Sequence, residues 1–298
     1  MIDLLNNCRL CPRNCGVDRL SGNFGFCGGG TDVKVARSAL HFWEEPCISG
    51  TKGSGTVFFS GCTLKCIFCQ NHKISRAQMG EEISNERLAE LFLEQQENGA
   101  LNINLVTPTH YALQIIETLD IAKSRGLKIP IVYNTSGYEK YETIKALDGY
   151  IDIYLPDFKY FSDKYAISYS NAPKYFEYAS KSLEEMVRQT GSVKFDSDGI
   201  ALTGTIVRHL MLPGLLFDSK KVLDYLYRNF SDDIYISIMN QYTPIKGANL
   251  PVNLQKKVSW EYYNCLLDYA VNIGIKNAYV QDKETADESF IPEFFDRI

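Results

Sequence analysis

The stretch Gly55-Thr-Val-Phe-Phe-Ser-Gly61-Cys62-Thr-Leu-Lys-Cys66-Ile-Phe-Cys69 decides the reading of this chain. Its first half is a short apolar run that ends in glycine, the pattern of a β-strand covered on both faces. Its second half is C-x3-C-x2-C. Three thiolates on one tight loop suit a cubane iron–sulfur cluster, in which cysteines ligate the irons. Three ligands leave one iron open, and an open iron can chelate the amino and carboxylate groups of S-adenosylmethionine (SAM). One electron from the reduced cluster then cleaves the C5′–S bond, and the 5′-deoxyadenosyl radical takes a hydrogen atom from a substrate. A structural zinc asks for four ligands, most often as two C-x2-4-C pairs. The spacing, the strand before the loop and Phe68 beside the third cysteine favour a [4Fe–4S] cluster on Cys62, Cys66 and Cys69.

Beyond this loop the chain alternates strand and helix signals. Strands are expected at 55–61, 102–106, 130–134, 151–155, 204–211 and 234–239, with a last short one at 278–281. Helices are expected at about 84–98, 110–125, 138–147, 163–168, 174–189, 219–229 and 254–272. Ser84 with Arg87 three residues on looks like a helix start. Strands each followed by helix imply parallel βαβ units with right-handed crossovers. Six such units are too few for a closed eight-fold barrel, so the expected fold is α/β, a partial (β/α)6 TIM-like barrel. In such folds the site lies at the C-terminal ends of the strands.

Upstream of the loop lies a cysteine-rich head, rich in Gly, Asn and Arg, with one expected strand at 32–40. Eight of the nine cysteines fall in the first quarter of the chain. The expected division is a metal-binding head over 1–50 and a barrel over 51–298. Cys8, Cys11, Cys15 and Cys27 give C-x2-C-x3-C-x11-C, and four thiolates can close a zinc site or hold a second iron–sulfur cluster. Cys47 either acts near a substrate or is a small buried residue, and Cys265 is expected to pack in the core of a long amphipathic helix.

Composition narrows the function classes. The 298 residues are 45% hydrophobic and 22% charged, with a net charge of −5. These are the values of a soluble globular protein large enough to bury a core. No basic excess points to nucleic acid. No secretory leader and no bilayer-length apolar run is apparent, so the expected location is the cytoplasm, where thiols stay reduced.

The segments Glu44-Glu-Pro-Cys-Ile-Ser-Gly50, Gly53-Ser-Gly-Thr-Val-Phe-Phe-Ser-Gly-Cys62 and Cys69-Gln-Asn-His72 resemble the PflX-like family of radical SAM proteins, named after pyruvate formate-lyase activating enzymes. The head, Cys8-Arg-Leu-Cys-Pro-Arg-Asn-Cys15 with Gly22, Gly25 and Cys27, resembles the same family. The resemblance implies SAM-binding groups at successive strand ends and a reducing partner such as flavodoxin or ferredoxin. Leu155-Pro-Asp157-Phe-Lys159 looks like the D-x-K element beside SAM. Arg208, in Thr205-Ile-Val-Arg208-His209, is a cation in an apolar strand, costly unless paired, and a SAM carboxylate would fit its fork. His209 is either a packed core histidine or a surface one. Asn134 and Ser136, in Tyr133-Asn-Thr-Ser136-Gly, suit ribose hydroxyls, although the same residues make ordinary turns. Asn240 and Gln241 end the sixth strand and either face the adenine or substrate or turn before Pro244. One departure stands out. Similar activases carry Gly-Gly-Glu at the second strand end; here it reads Val106-Thr-Pro-Thr109-His110, with Thr109 a candidate helix cap and His110 a helix-start residue or a donor.

The expected function is a radical SAM oxidoreductase resembling glycyl-radical activases, acting on a protein or peptide. A small-metabolite substrate is the alternative with the same chemistry. A non-catalytic iron–sulfur electron-transfer or interaction module is the alternative of another class.

Overall fold

Side-chain alternation along the strands sets the architecture of the computed structural model, which describes residues 4–76, 79–282 and 294. In β5 (Ile131–Thr135) Ile131 and Tyr133 pack outward with helices while Val132 packs inward. In β6 (Ile153–Pro156) Ile153 and Leu155 face in and Tyr154 faces out. In β8 (Ala201–Leu210) Ile206 faces in and Val207 faces out. A strand buried on both faces needs apolar residues at both parities, which is why these runs read as continuous.

The parallel strands run in the order β2 (Ser54–Phe59), β4 (Ile103–Val106), β5, β6, β8, β9 (Ile234–Met239) and β10 (Ala278–Val280). This is the expected open, TIM-like α/β barrel with six βα units and a short last strand. At the β2 edge, β1 (Val33–His41) adds antiparallel, followed by β3 (Glu81–Ile83). The cysteine-rich segment thereby joins the barrel's own sheet through β1. A two-residue strand, β7 (Lys194–Phe195), pairs with β8.

Helices cover the outside. The flank of β2, β4 and β5 is packed by α3 (Asn85–Glu97), α4 (Ala112–Ser124) and α5 (Tyr141–Ala146). The other flank is packed by α6 (Asp163–Ser170), α7 (Tyr175–Thr190), α8 (Leu216–Phe230) and α9 (Trp260–Ile273). The Ser84 hydroxyl accepts the Arg87 N–H at 3.2 Å, so the expected cap of α3 forms.

Three local expectations change. The helix expected from 254 divides into a 3-10 turn, Val252–Gln255, and α9, which starts late because Ser259 caps it by accepting the Tyr262 N–H at 3.3 Å. Cys265 is exposed rather than packed: α9 buries Tyr263, Leu266 and Ala270, and Cys265 lies off that stripe. Two four-residue helices were not expected, α1 (Pro46–Ser49) and α2 (His72–Ser75). The first closes the inside of the barrel. Its Cys47 and Ile48 are fully buried against Val132, Ile153, Leu155 and Ile206, so Cys47 is a packed residue of the barrel's inner floor. Among the described residues no helix is long and apolar enough to cross a membrane.

Candidate active site

Above that floor the inner face turns polar. The same alternation that puts Val132 and Ile206 inside also points Asn134 and Arg208 inward, two residues further along each strand. A cavity of about 320 Å³ opens there. Its wall includes Cys62, Cys66 and Cys69 from the loop after β2, Asn134 and Ser136 from the end of β5, Asp157 and Lys159 after β6, and Arg208 of β8. Ten of the sequence candidates therefore sort cleanly. These eight meet in one cavity at the C-terminal ends of the strands. Phe68 does not line it; it is buried with its ring edge-on to Tyr242 at 6.0 Å. Asn240 is also buried outside the cavity wall, its N–H donating to Gln241's neighbour in space, the Gln281 Oε1, at 2.7 Å, whereas Gln241 itself lines the cavity.

The cysteine loop is held by close backbone packing. Gly61 has φ +91, and a Cβ there would run into the Cys27 carbonyl oxygen and lie 2.9 Å from the His110 Nε2. Only glycine makes this turn without strain. Leu64 N–H donates to the Cys62 Sγ at 3.4 Å, and the Ser170 hydroxyl donates to the Cys66 Sγ at 3.0 Å. Donors of this kind favour thiolate. Burial opposes them, pushing the Cys62 thiol up to about 12 and Cys66 up to about 11, with the neighbouring thiols adding to the rise. Buried thiols become good thiolate ligands when metal cations take up their charge. Among the described residues no three His, Cys, Asp or Glu side chains converge tightly enough for a single ion. A cubane spreads its thiolates over different irons and asks for a wider set, which suits three residues around one cavity wall.

Two charged groups flank the loop. Lys159 Nζ lies 2.6 Å from the Asp157 carboxylate. Burial alone would lower the lysine, but Asp157 and then Cys66 and Cys69 raise it above its usual range, so it stays charged. Arg208 is held by residues far away in sequence. Its Nη1 lies 3.1 Å from Glu44 Oε2 and its Nε 3.8 Å from Glu45 Oε1. The cation that the sequence offered to a ligand carboxylate already has two carboxylates of its own chain. Burial acts to lower Arg208, and Glu45, Glu44 and Asp157 together raise it. Its Nη2 is buried without a partner. Glu44 also accepts from the Asn104 amide at 3.0 Å and the Asn134 amide at 3.4 Å. Glu45 is pushed up by burial, against the pull of Arg208.

Glu44 is the site residue that sequence reasoning missed. The signal was present: an arginine in an apolar strand needs an acid, and Glu44-Glu45 immediately precedes the helix that closes the barrel. A second missed feature is Thr107, which lines the cavity with φ +60. Positive φ is uncommon for a β-branched residue and tends to occur at functional sites.

Behind the ends of β4 and β5, just outside the cavity wall, the buried groups are neutral. Thr109 does not cap a helix. Its hydroxyl donates to Glu139 at 2.5 Å, and the Thr135 hydroxyl donates to the same carboxylate oxygen. Glu139 is fully buried and held up to about 7 by burial, with the two hydroxyls lowering it only in part. His110 and His209 are core residues. Burial lowers them to about 3 and about 4, so both are neutral, and they bond the carbonyl oxygens of Ser60 and Phe158 at 2.8 and 2.7 Å.

In the head, Cys8, Cys11 and Cys27 are buried and Cys15 is exposed. Burial pushes Cys11 up to about 12, and Cys27 and Cys8 nearby add to this. Cys27 Sγ accepts the Gly29 N–H at 3.4 Å and lies 3.7 Å from the buried Arg19 guanidinium. The Cys62 N–H donates to the Cys27 carbonyl at 3.3 Å, which ties the head to the cluster loop.

This arrangement agrees with the comparisons. Residues 56–226, more than half of the chain, match the model of the Radical SAM superfamily. The chain belongs to the radical SAM superfamily. Uncharacterized protein MJ0674 of Methanocaldococcus jannaschii is 26% identical over 287 residues, 93% of this chain and 78% of that protein. The crystal structure of Streptococcus suis SuiB bound to S-adenosylmethionine is similar with a TM-score of 0.51 and 14% identity, over 75% of this chain and 49% of SuiB. SuiB bound to precursor peptide SuiA is similar with a TM-score of 0.52 and 15% identity, over 75% of this chain and 47% of SuiB. The chain thus spans about half the length of the SuiB chain it matches.

Proposed function

We propose that this chain is a radical SAM oxidoreductase of the PflX-like, glycyl-radical-activase-like kind, in which Cys62, Cys66 and Cys69 hold a [4Fe–4S] cluster. The observation that carries this is the cavity itself: three thiols from one loop share it with Asp157, Lys159, Asn134, Ser136 and Arg208 at the C-terminal ends of the strands. When bound there, the cluster and SAM supply reductive cleavage of the sulfonium and a radical that abstracts hydrogen.

The chain's own residues do the rest. Lys159 sets a positive charge beside Cys66, which favours its ligating, deprotonated form. Asp157 holds that lysine in place. Asn134 and Ser136 offer an amide and an unpartnered buried hydroxyl to polar groups of SAM. Glu44 fixes the rotamers of Arg208, Asn104 and Asn134 from below. The apolar floor around Cys47 keeps water from entering beneath.

A protein or peptide is the proposed substrate. The sheet does not close on itself, with β10 and β3 at its two ends, and Trp43 stands 65% exposed at the cavity wall. SuiB, whose barrel is similar, was crystallised with a precursor peptide. Cys8, Cys11, Cys15 and Cys27 are proposed to hold a second centre, zinc or iron–sulfur, on which the thiols would draw together, since as placed no three of them converge on a single ion. The buried Arg19 guanidinium beside Cys27 supports a negatively charged thiolate group there. A flavodoxin or ferredoxin is proposed as reductant, and the cytoplasm as the location.

The test is anaerobic reconstitution followed by iron, sulfide and zinc counts, reduction, addition of SAM and measurement of 5′-deoxyadenosine, with Cys66→Ala as control. Cysteine-dependent 5′-deoxyadenosine is expected. A well-folded protein that binds no cluster and leaves SAM intact sinks the reading and favours the non-catalytic module.

A further inference from the structure

A bulge in β1 decides which side chains reach the cavity from the edge of the sheet. Val33 and Val35 pack toward the helices. The register against β2 then shifts between Val35 and Arg37, which makes Ala36 the extra residue of a β-bulge. Beyond it the parity is reversed. Ser38 accepts the Gln95 amide of α3 at 3.1 Å, so the even positions now face the helices. His41, at the parity of Val33 and Val35, is thereby turned to the cavity, where it lines the wall and meets the Phe58 ring edge-on at 6.2 Å. Bulges re-aim side chains in this way next to active sites.

The wall built from this edge differs from the rest of the cavity. Glu44, Asp157, Lys159 and Arg208 of the wall are all held in ion pairs. Toward β1, β2 and β4 the wall is His41, Trp43, Phe58, Ile74 and Val106. Burial lowers His41, and Arg37 and Arg208 lower it further, so it is neutral near pH 7. Ala36, Phe58 and Ile74 form an apolar cluster of their own, apart from the barrel floor and the helix-packed core, and Val106 and Phe294 pack against it. Phe294 comes from a distant part of the sequence. Its ring stands edge-on to Phe58, with centroids 5.4 Å apart and planes at 75°. Aromatic pairs favour this arrangement. Phe58 thus pairs both with a ring of the cavity wall and with a ring delivered from elsewhere in the chain.

We propose that the pocket of Ala36, Phe58, Ile74 and Val106 is a subsite for an aromatic side chain of the peptide substrate, and that Phe294 fills it in the free protein. This rests on the reading of the substrate as a protein or peptide. The pocket offers apolar atoms and one aromatic ring, so a phenyl group gains there what Phe294 gains. A charged side chain would give up its hydration against Phe58 and Ile74, which are 5% and 3% exposed, with no counter-charge in the pocket to replace it. Phe58, Ile74 and Val106 belong both to the pocket and to the cavity wall, so a side chain seated there leaves the adjoining residues of its own chain beside the cavity. The subsite positions the substrate; no bond forms or breaks at it. An occupant on the same chain competes as though present at about 1 mM, so an incoming peptide has to displace it.

The experiment uses the reconstituted full chain and, as a labelled probe, a peptide of its own residues 290–298, Phe-Ile-Pro-Glu-Phe-Phe-Asp-Arg-Ile. Fluorescence anisotropy follows binding of the probe. Phe294→Ala is expected to bind it about tenfold or more tightly than wild type, because the tethered competitor is gone. A probe carrying Phe290→Ala, Phe294→Ala and Phe295→Ala is expected to bind both proteins alike. Ile74→Ala, added to Phe294→Ala, removes one wall of the pocket and is expected to undo the gain; Val106→Ala takes its place if that variant does not fold. Equal affinity of wild type and Phe294→Ala for the first probe overturns the subsite and leaves the peptide reading standing. A gain that persists with the alanine probe also overturns it, since no aromatic group is then being recognised. N-acetylphenylalanine amide is titrated in parallel. If it binds Phe294→Ala while the peptide probe is excluded from every variant, the peptide reading itself fails in favour of a small aromatic substrate.

Discussion

The two sides of the cavity handle buried charge in opposite ways. Toward β6 and β8 the wall is ionised: Lys159 faces Asp157, and Arg208 lies between Glu44 and Glu45. Behind the wall at β4 and β5 the buried acid is neutral below pH 7: Glu139 is wrapped by the hydroxyls of Thr109 and Thr135 and, among the described residues, has no cation in hydrogen-bonding contact. The ionised side draws its counter-charges partly from the head, so its integrity depends on chain segments that are far apart in sequence. The neutral side is built almost entirely from neighbours on two strand ends. A buried ion pair is hard to lose one partner at a time, whereas a buried acid can adjust by taking up a proton.

The largest effect should come from Arg208→Met. Removing the guanidinium leaves Glu44 and Glu45 facing each other in the interior, and breaking a buried pair this way costs about 3–5 kcal/mol. Adding Glu44→Gln to it should restore part of that loss, because one of the orphaned charges disappears. Urea unfolding of the two single variants and the double variant measures the coupling. Additive effects would mean that the two sides do not differ as described.

The neutral side should show its difference in the pH profile. Glu139 has its ordinary value of 4.5 raised to about 7. Between those values the folded protein keeps a proton that the unfolded chain has released. Stability from this group is therefore intact below about pH 4.5 and falls as pH rises toward 7, by up to about 3 kcal/mol. Glu139→Gln should match wild type near pH 5 and exceed it at pH 8. Identical pH profiles would show that the carboxylate is ionised throughout and that its hydroxyl partners suffice.

These contrasts also mark what the sequence could convey. The loop Cys62 to Cys69, the six βα units and the pair Asp157–Lys159 are local patterns, readable because the interacting residues sit within a few positions of one another. Arg208 was readable as a buried cation but its partners were not, since Glu44 is 164 residues away and meets it only through the closing of the barrel by α1. Glu139 was missed for the opposite reason. It lies outside any motif, in Tyr138-Glu-Lys140, and becomes a site neighbour only because Gly137, at φ +74, turns the chain back behind β5. Phe68 and Asn240 had the right positions in sequence, but the alternation past the end of β9 turns Asn240 away between Met239 and Gln241, and the turn of the cysteine loop buries Phe68 against Tyr242.

The smaller effects separate local pairing from burial. Lys159→Met removes a 2.6 Å ion pair whose members keep about a fifth of their side-chain surface in water, 17% and 27%. It should cost about 1.5–3 kcal/mol, the scale for hydrogen bonds to charged groups, less than Arg208→Met because Asp157 can recover water. Arg87→Ala breaks contacts to Glu90 and Glu94 at 3.1 and 2.6 Å on the outer face of α3, where the side chains are 41–50% exposed. Screened pairs of this kind contribute about 0–1 kcal/mol. If the loss for Arg87→Ala reached that for Lys159→Met, geometry alone would explain both, and burial would have no part in ranking the charges of this protein. The expected ranking, Arg208 above Lys159 above Arg87 in the same urea titration, instead follows how completely each pair has left the solvent.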